Sequence, residues 1–168
     1  MKYTLFIPGK PFGKQRHRST KKGRMYTPKQ TVDYENVLAM KYIQKYGNTE
    51  IESPAFKVDV YCCFLPPEPP KSASKKTIAE YKENAVKMLN GEILYTNKPD
   101  KDNMEKIIGD GLNKIAWYDD CRIVMGQTLK CYRHYQGVLL IITPISSMEY
   151  RLLKWIDRKV ELEEIWEK

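Results

Sequence analysis

Between Pro99 and Asp120 the chain reads PDKDNMEKIIGDGLNKIAWYDD. Asp100 and Asp102 stand one residue apart where helical spacing begins. Lys106 follows one turn later, and a second acidic pair, Asp119 and Asp120, closes the segment. Carboxylates crowded into one site push each other's pKa upward unless a cation lies between them. Mg²⁺ meets that need, because it prefers one or two carboxylates, keeps several waters and leaves positions for phosphate oxygens. Held this way, it activates a water and stabilises an in-line displacement at phosphorus. Asp100, Asp102 and Asp120 are the candidate ligands, with Mn²⁺ as a substitute ion. Lys106 is the candidate for contact with a scissile phosphate.

These residues need a helix to position them. Lys98 precedes a proline and is pushed out of helical geometry. Asp102 is expected as N-cap, with Glu105 in the capping-box position three residues on. Met104, Ile107, Ile108, Leu112 and Ile115 fall on one face, which should be buried, and Asp102, Lys106, Asp110 and Asn113 fall on the opposite face. A helix from Asn103 to about Lys114 would be roughly 18 Å long. The stretch after it spans about 20 Å when extended, enough to bring Asp120 back beside Asp102. Each acid taken alone has an ordinary explanation. Asp102 caps a helix, Lys106 pairs at i,i+4, and Asp119-Asp120 forms a turn. The cluster is harder to explain that way, since two carboxylates stand where one cap would serve and acidic pairs bracket an apolar helix.

The surrounding chain supplies one domain's worth of elements. Its 168 residues allow a single core. Tyr3–Ile7 reads as a strand, residues 31–46 as a helix, and Phe56–Phe64 as a half-buried alternating strand. Pro66, Pro67, Pro69 and Pro70 then form a stiff connector. Ser74–Leu89 reads as a charged exposed helix without chemistry of its own, and Ile93–Tyr95 as a short extended piece. Strands are expected around Ile123–Arg133 and Gly137–Thr143, joined by a loop at His134–Gln136. Ser146 and Glu149 form a second capping box, opening an amphipathic helix through Leu152, Leu153, Ile156, Val160 and Trp166. The fold class is α/β, of α+β type, with a small mixed sheet flanked by helices. Residues 1–145 make the main domain, with a basic loop at 8–30 and the metal motif at 99–120; residues 146–168 are an appended helix.

Charge points to the partner. The formal net charge is +8, which favours a polyanion. The first 32 residues hold nine Lys or Arg and no acid. Lys10, Lys14, Arg16, Arg18, Lys21, Lys22 and Arg24 crowd one segment with Lys29, His17 and Tyr26 nearby. A charge run alone reads as a solvated arm; beside a metal-hydrolase motif it reads as a phosphate-tracking loop. His17 and His134 lack partners at ligand spacing. Trp117, Trp155 and Trp166 read as packing residues, with Trp117 held open because it lies three residues from Asp120. Cys62, Cys63, Cys121 and Cys131 contain no CxxC pair and read as reduced thiols. The opening KYTLFIP is too short for a signal peptide, and no apolar run is long enough to span a membrane, so a cytoplasmic protein is expected.

PDKDN, Lys106, Asp110-Gly-Leu-Asn and Trp117-Tyr-Asp-Asp together resemble the signature of the RusA family of Holliday junction endonucleases. The resemblance extends to IPGKPFGKQRHR, to Thr27-Pro28 and to the strand before the prolines; it leaves the C-terminal segment outside. It implies a small α/β homodimer that nicks paired strands of a four-way DNA junction with Mg²⁺, in recombination and repair, and it is compatible with a prophage origin. By position, Asp100, Asp102 and Asp120 match the family's essential acids and Lys106 its lysine, with Asp110 and Asp119 in supporting roles. Lys101 stands where an aliphatic residue is more usual, and Gly109 weakens the helix. Two other readings stay open: a flap or fork nuclease of the same chemistry, and a non-catalytic nucleic-acid-binding module.

Overall fold

The computed structural model describes residues 1–146. The expected capping box at Ser146 and Glu149, the amphipathic helix after it, Trp155 and Trp166 therefore lie outside the described residues.

The elements follow the order β1 (Tyr3–Pro8), β2 (Arg18–Ser19), β3 (Met25–Tyr26), α1 (Lys29–Tyr46), β4 (Ala55–Phe64), α2 (Lys75–Leu89), α3 (Lys101–Gly111), a 3₁₀ turn (Asp120–Arg122), β5 (Ile123–Met125), β6 (Thr128–Tyr132) and β7 (Gly137–Ile145). The result is a mixed α+β fold in one compact unit. In the main sheet β7 lies between β1 and β4, antiparallel to both, while β5 and β6 line the far edge of β4 in parallel. After β6 the chain passes the end of β4, where the Arg133 amide donates to the Phe64 carbonyl at 2.8 Å. It then returns as β7 on the other side of β4.

Alternation along the strands gives the sheet its apolar face. Leu5 and Ile7, Phe56 through Phe64 at every second residue, and Val138, Leu140 and Ile142 are buried there with Leu38 and Tyr42 of α1 and Met104, Ile107 and Ile108 of α3. The expected apolar face of α3 is thus the one buried, though Ile115 is only partly covered. The helices α1 and α3 cross at Gly111, where a Cβ would lie 2.7 Å from Leu38 Cδ1 and 3.2 Å from the Glu35 Cα. Helix α2 buries no residue; Ser74 caps it by accepting from the Thr77 amide. No helix among the described residues is long and apolar enough to cross a membrane.

Four local expectations need correction. Strand β4 is not half-buried: Asp59 and Cys63, on the face opposite the helices, are also buried, because β4 is the central strand and Asp59 is drawn to Lys57 at 3.0 Å. The strand expected over Ile123–Arg133 is interrupted at Gly126, where a Cβ would lie 1.9 Å from the Val58 carbonyl oxygen; only glycine lets the chain step along β4 there. Ile93–Tyr95 forms no strand, and Tyr95 instead stacks on Phe64 with ring centroids 3.8 Å apart. Finally, Asp100 rather than Asp102 takes the N-cap position of α3, and no side chain caps it. The side chains that would form the capping box are committed to i,i+4 pairs, Lys101–Glu105 at 2.9 Å and Asp102–Lys106 at 3.1 Å.

Candidate metal and nucleic-acid site

Helix α3 carries most of the candidate chemistry on its exposed side. Its apolar stripe packs into the sheet, so Asp102 and Lys106, four residues apart, share the opposite, solvated face. Lys106 donates to Asp102 Oδ2 at 3.1 Å, and that hydrogen bond with the lysine's charge holds the Asp102 carboxyl below the usual carboxylate range. Asp102 is therefore an anion at neutral pH without help from a metal.

Asp120 reaches the same helix from the other direction. After α3 the chain turns through Leu112–Ala116 and buries Trp117 completely. Trp117 packs on Phe56 with centroids 5.9 Å apart, and its indole N–H donates to the Gly109 carbonyl at 3.3 Å. Trp117 is thus a packing residue that fixes the returning chain to α3. Three residues later, Asp120 Oδ2 lies 3.5 Å from where a Gly109 Cβ would stand. The carboxylate is seated against the glycine that weakens the helix. Asp119 is occupied differently: it accepts from the Cys121 amide at 3.0 Å and caps the 3₁₀ turn that presents Asp120.

The helix ends at Gly111, and the tight turn after it returns Asp120 beside Gly109. Seven residues separate Asp102 from Gly109, about 10 Å along the axis. Asp120, Lys106 and Glu105 line one cavity of about 370 Å³ between α3 and the β5–β6 edge. Asp100 lines a second, open groove of about 800 Å³ with Lys10, Lys14, Arg16, Arg18 and Lys98. Among the described residues, no group of three or more His, Cys, Asp or Glu side chains is gathered closely enough to hold a metal. The donors are nevertheless all carboxylate oxygens on exposed residues. They fit an ion that takes one or two carboxylates and completes its shell with water and phosphate oxygens. A closed protein cage is not what they make.

The basic arm is anchored at its base. The Lys14 amide donates to the Asn103 carbonyl at 2.8 Å, and the Gln15 amide donates to Thr31 Oγ1 at 3.3 Å. Gly13 lies so close to the loop before α3 that a Cβ there would stand 2.7 Å from the Pro99 Cβ. Lys14 turns inward, paired with Asp110 of α3 and, at 3.2 Å, with Glu35 of α1. Burial lowers the pKa of the Lys14 ammonium, but Asp110 and Glu35 outweigh it and hold the pKa above the usual lysine value. Lys10, Arg16, Arg18, Lys21, Lys22 and Arg24 remain exposed, the last four on or beside the β2–β3 hairpin. His17 Nδ1 contacts Thr27 Oγ1 at 3.3 Å. The seat at Gly109 and the Glu35–Lys14–Asp110 bridge were not readable from spacing, since both join residues distant in sequence.

A model of the endodeoxyribonuclease RusA family matches residues 8–143, which include the arm, α1, the motif on α3 and most of β7. No individually curated protein matches the chain.

Proposed function

We propose, from the premise that this chain belongs to the RusA endodeoxyribonuclease family, that it is a Mg²⁺-dependent, structure-selective endonuclease that resolves four-way DNA junctions by paired phosphodiester hydrolysis. The observation that carries this reading is the exposed stripe of α3, on which Asp102 and Lys106 pair and beside which Asp120 is seated at Gly109, next to a basic groove that contains Asp100.

Asp100, Asp102 and Asp120 would hold the ion. When bound, Mg²⁺ supplies an activated water and neutralises charge at the phosphorus under attack; Mn²⁺ replaces it. Lys106 offers its ammonium to the scissile phosphate, where negative charge builds in the transition state. Asp119 supports Asp120 by capping its turn, and Asp110 supports the arm by holding Lys14. Lys10, Arg16, Arg18, Lys21, Lys22 and Arg24 track the phosphate backbone, giving affinity that depends on salt and not on sequence. Lys14 contributes by fixing the arm. The nuclease unit is residues 1–145, with 146–168 appended, and a two-fold homodimer presents two sites to the two related strands of a junction.

The test is cleavage in Mg²⁺ of a labelled four-way junction in competition with fork, flap and linear duplex. Paired symmetric nicks confined to the junction are expected. Preferential cutting of flaps or forks would assign the same chemistry to another substrate, and binding without cutting in either Mg²⁺ or Mn²⁺ would leave a nucleic-acid-binding module.

A further inference from the structure

Strand β6 runs along the edge of the sheet beside the start of α3, and alternate residues on one of its faces meet that helix and the segment that leads into it. Thr128 lines one cavity with Glu105 of α3. The Tyr132 ring packs on Tyr95 with centroids 5.1 Å apart. Between them, the Lys130 ammonium donates to two backbone carbonyls, Asn97 at 2.8 Å and Pro99 at 3.0 Å. Lys130 also lies 5.4 Å from the Tyr95 ring centroid, and the Tyr95 hydroxyl donates to the Lys98 carbonyl at 2.9 Å. Three successive carbonyls, those of residues 97, 98 and 99, are thus held from below immediately before Asp100. On its other side, this loop meets Gly13 of the arm.

We infer that Lys130 is a positioning residue that fixes the 97–99 backbone and thereby sets where Asp100 and the first turn of α3 stand. No carboxylate is paired with Lys130 among the described ion pairs. Its cation is spent on peptide oxygens, where a charge-assisted donor with three hydrogens can satisfy two acceptors at once. An extended loop before a helix has no ladder of its own to keep it in place, so these bonds supply the restraint that regular structure would otherwise give. Methionine at this position would keep the aliphatic stem and lose both bonds. This inference rests on the assignment of Asp100 to the metal site.

The experiment compares Lys130→Met, Lys130→Arg, Tyr95→Phe and Asp100→Asn in the full chain. It uses three readouts: amide exchange of Met104 and Lys14 without metal, junction affinity against salt in EDTA, and junction nicking against Mg²⁺ concentration. The Met104 amide donates to Asp100 and the Lys14 amide to Asn103, so both report the first turn of α3. Lys130→Met is expected to speed exchange at both amides and to raise the Mg²⁺ needed for half-maximal nicking by about tenfold. The salt slope of binding should stay unchanged. Lys130→Arg should recover most of the loss, and Tyr95→Phe should give a smaller change of the same kind, which covers the case of a poorly folding Lys130→Met. A salt slope reduced by about one phosphate contact would make Lys130 a DNA ligand and overturn the inference. Unchanged exchange in both Lys130→Met and Tyr95→Phe would also overturn it. Full nicking by Asp100→Asn would instead refute the assignment of Asp100, a separate failure with its own signature.

Discussion

Gly109 and Asp120 lie against each other, and the space between them decides how large residue 109 can be. A methyl at residue 109 would meet Asp120 Oδ2 at 3.5 Å, an ordinary van der Waals contact. Gly109→Ala should therefore leave nicking near the wild-type rate while raising stability by about 0.5–1 kcal/mol through helix propensity. Gly109→Leu cannot share the seat and should displace Asp120, losing nicking while keeping junction binding. Thermal melts and nicking rates of the two variants check this. Wild-type nicking by Gly109→Leu would remove Asp120 from the machinery. Asp102 and Lys106 invite a second comparison. The Lys106 bond and charge hold the Asp102 carboxyl below the usual carboxylate range, so Lys106→Met should move the Asp102 titration upward, visible by NMR of its carboxyl carbon.

At the scale of elements, the base of the arm, α1 and α3 are joined by Lys14. Its pKa is raised in the folded state above the ordinary 10.5. The bridge's contribution is therefore fully present below the unfolded value and is lost only as pH rises through the higher folded value. Lys14→Met should lower stability by about 1 kcal/mol at pH 7, with the difference shrinking above the lysine range. Its junction-binding salt slope should stay that of wild type, whereas Arg16→Ala or Lys21→Ala should each reduce it. The crossing at Gly111 is tighter than the seat at Gly109. Gly111→Ala should destabilise by about 1–3 kcal/mol from overpacking against Leu38 and the α1 backbone, measurable in urea. Periodicity made α1, β4 and the buried face of α3 legible, because burial imposes a period that residues record, whereas α2, which buries nothing, was legible from its charged composition. The interruption at Gly126 and the inward turn of Lys14 left no such trace. The first depends on the approach of Val58, and the second on acids 21 and 96 residues away, so only the folded chain brings the determinants together.

At the scale of the whole molecule, the start of the arm and the loop before α3 share one groove. Lys10, Arg16 and Arg18 of the arm line the groove where Asp100 opens, while Asp102 and Lys106 sit on the exposed face of α3. On the proposed reading, a phosphate backbone drawn along the arm would be led to the carboxylates, which Mg²⁺ would join to it. The motif's membership was legible because its residue types recur in fixed order over more than twenty positions of sequence. The seat of Asp120 against Gly109 was not, because the turn at Leu112–Ala116 that returns the chain there depends on burying Trp117 rather than on any local signal. Sedimentation at micromolar concentration should give a two-fold dimer, the form that presents two sites to one junction.

The most direct measurement is nicking of a labelled four-way junction by wild type and by Asp102→Asn, with binding measured beside it in EDTA. The substitution should reduce Mg²⁺-dependent nicking by more than about a hundredfold, while binding stays equal or tightens because a negative charge beside the phosphate is gone. Equal nicking by the two proteins would contradict the assignment of this carboxylate site.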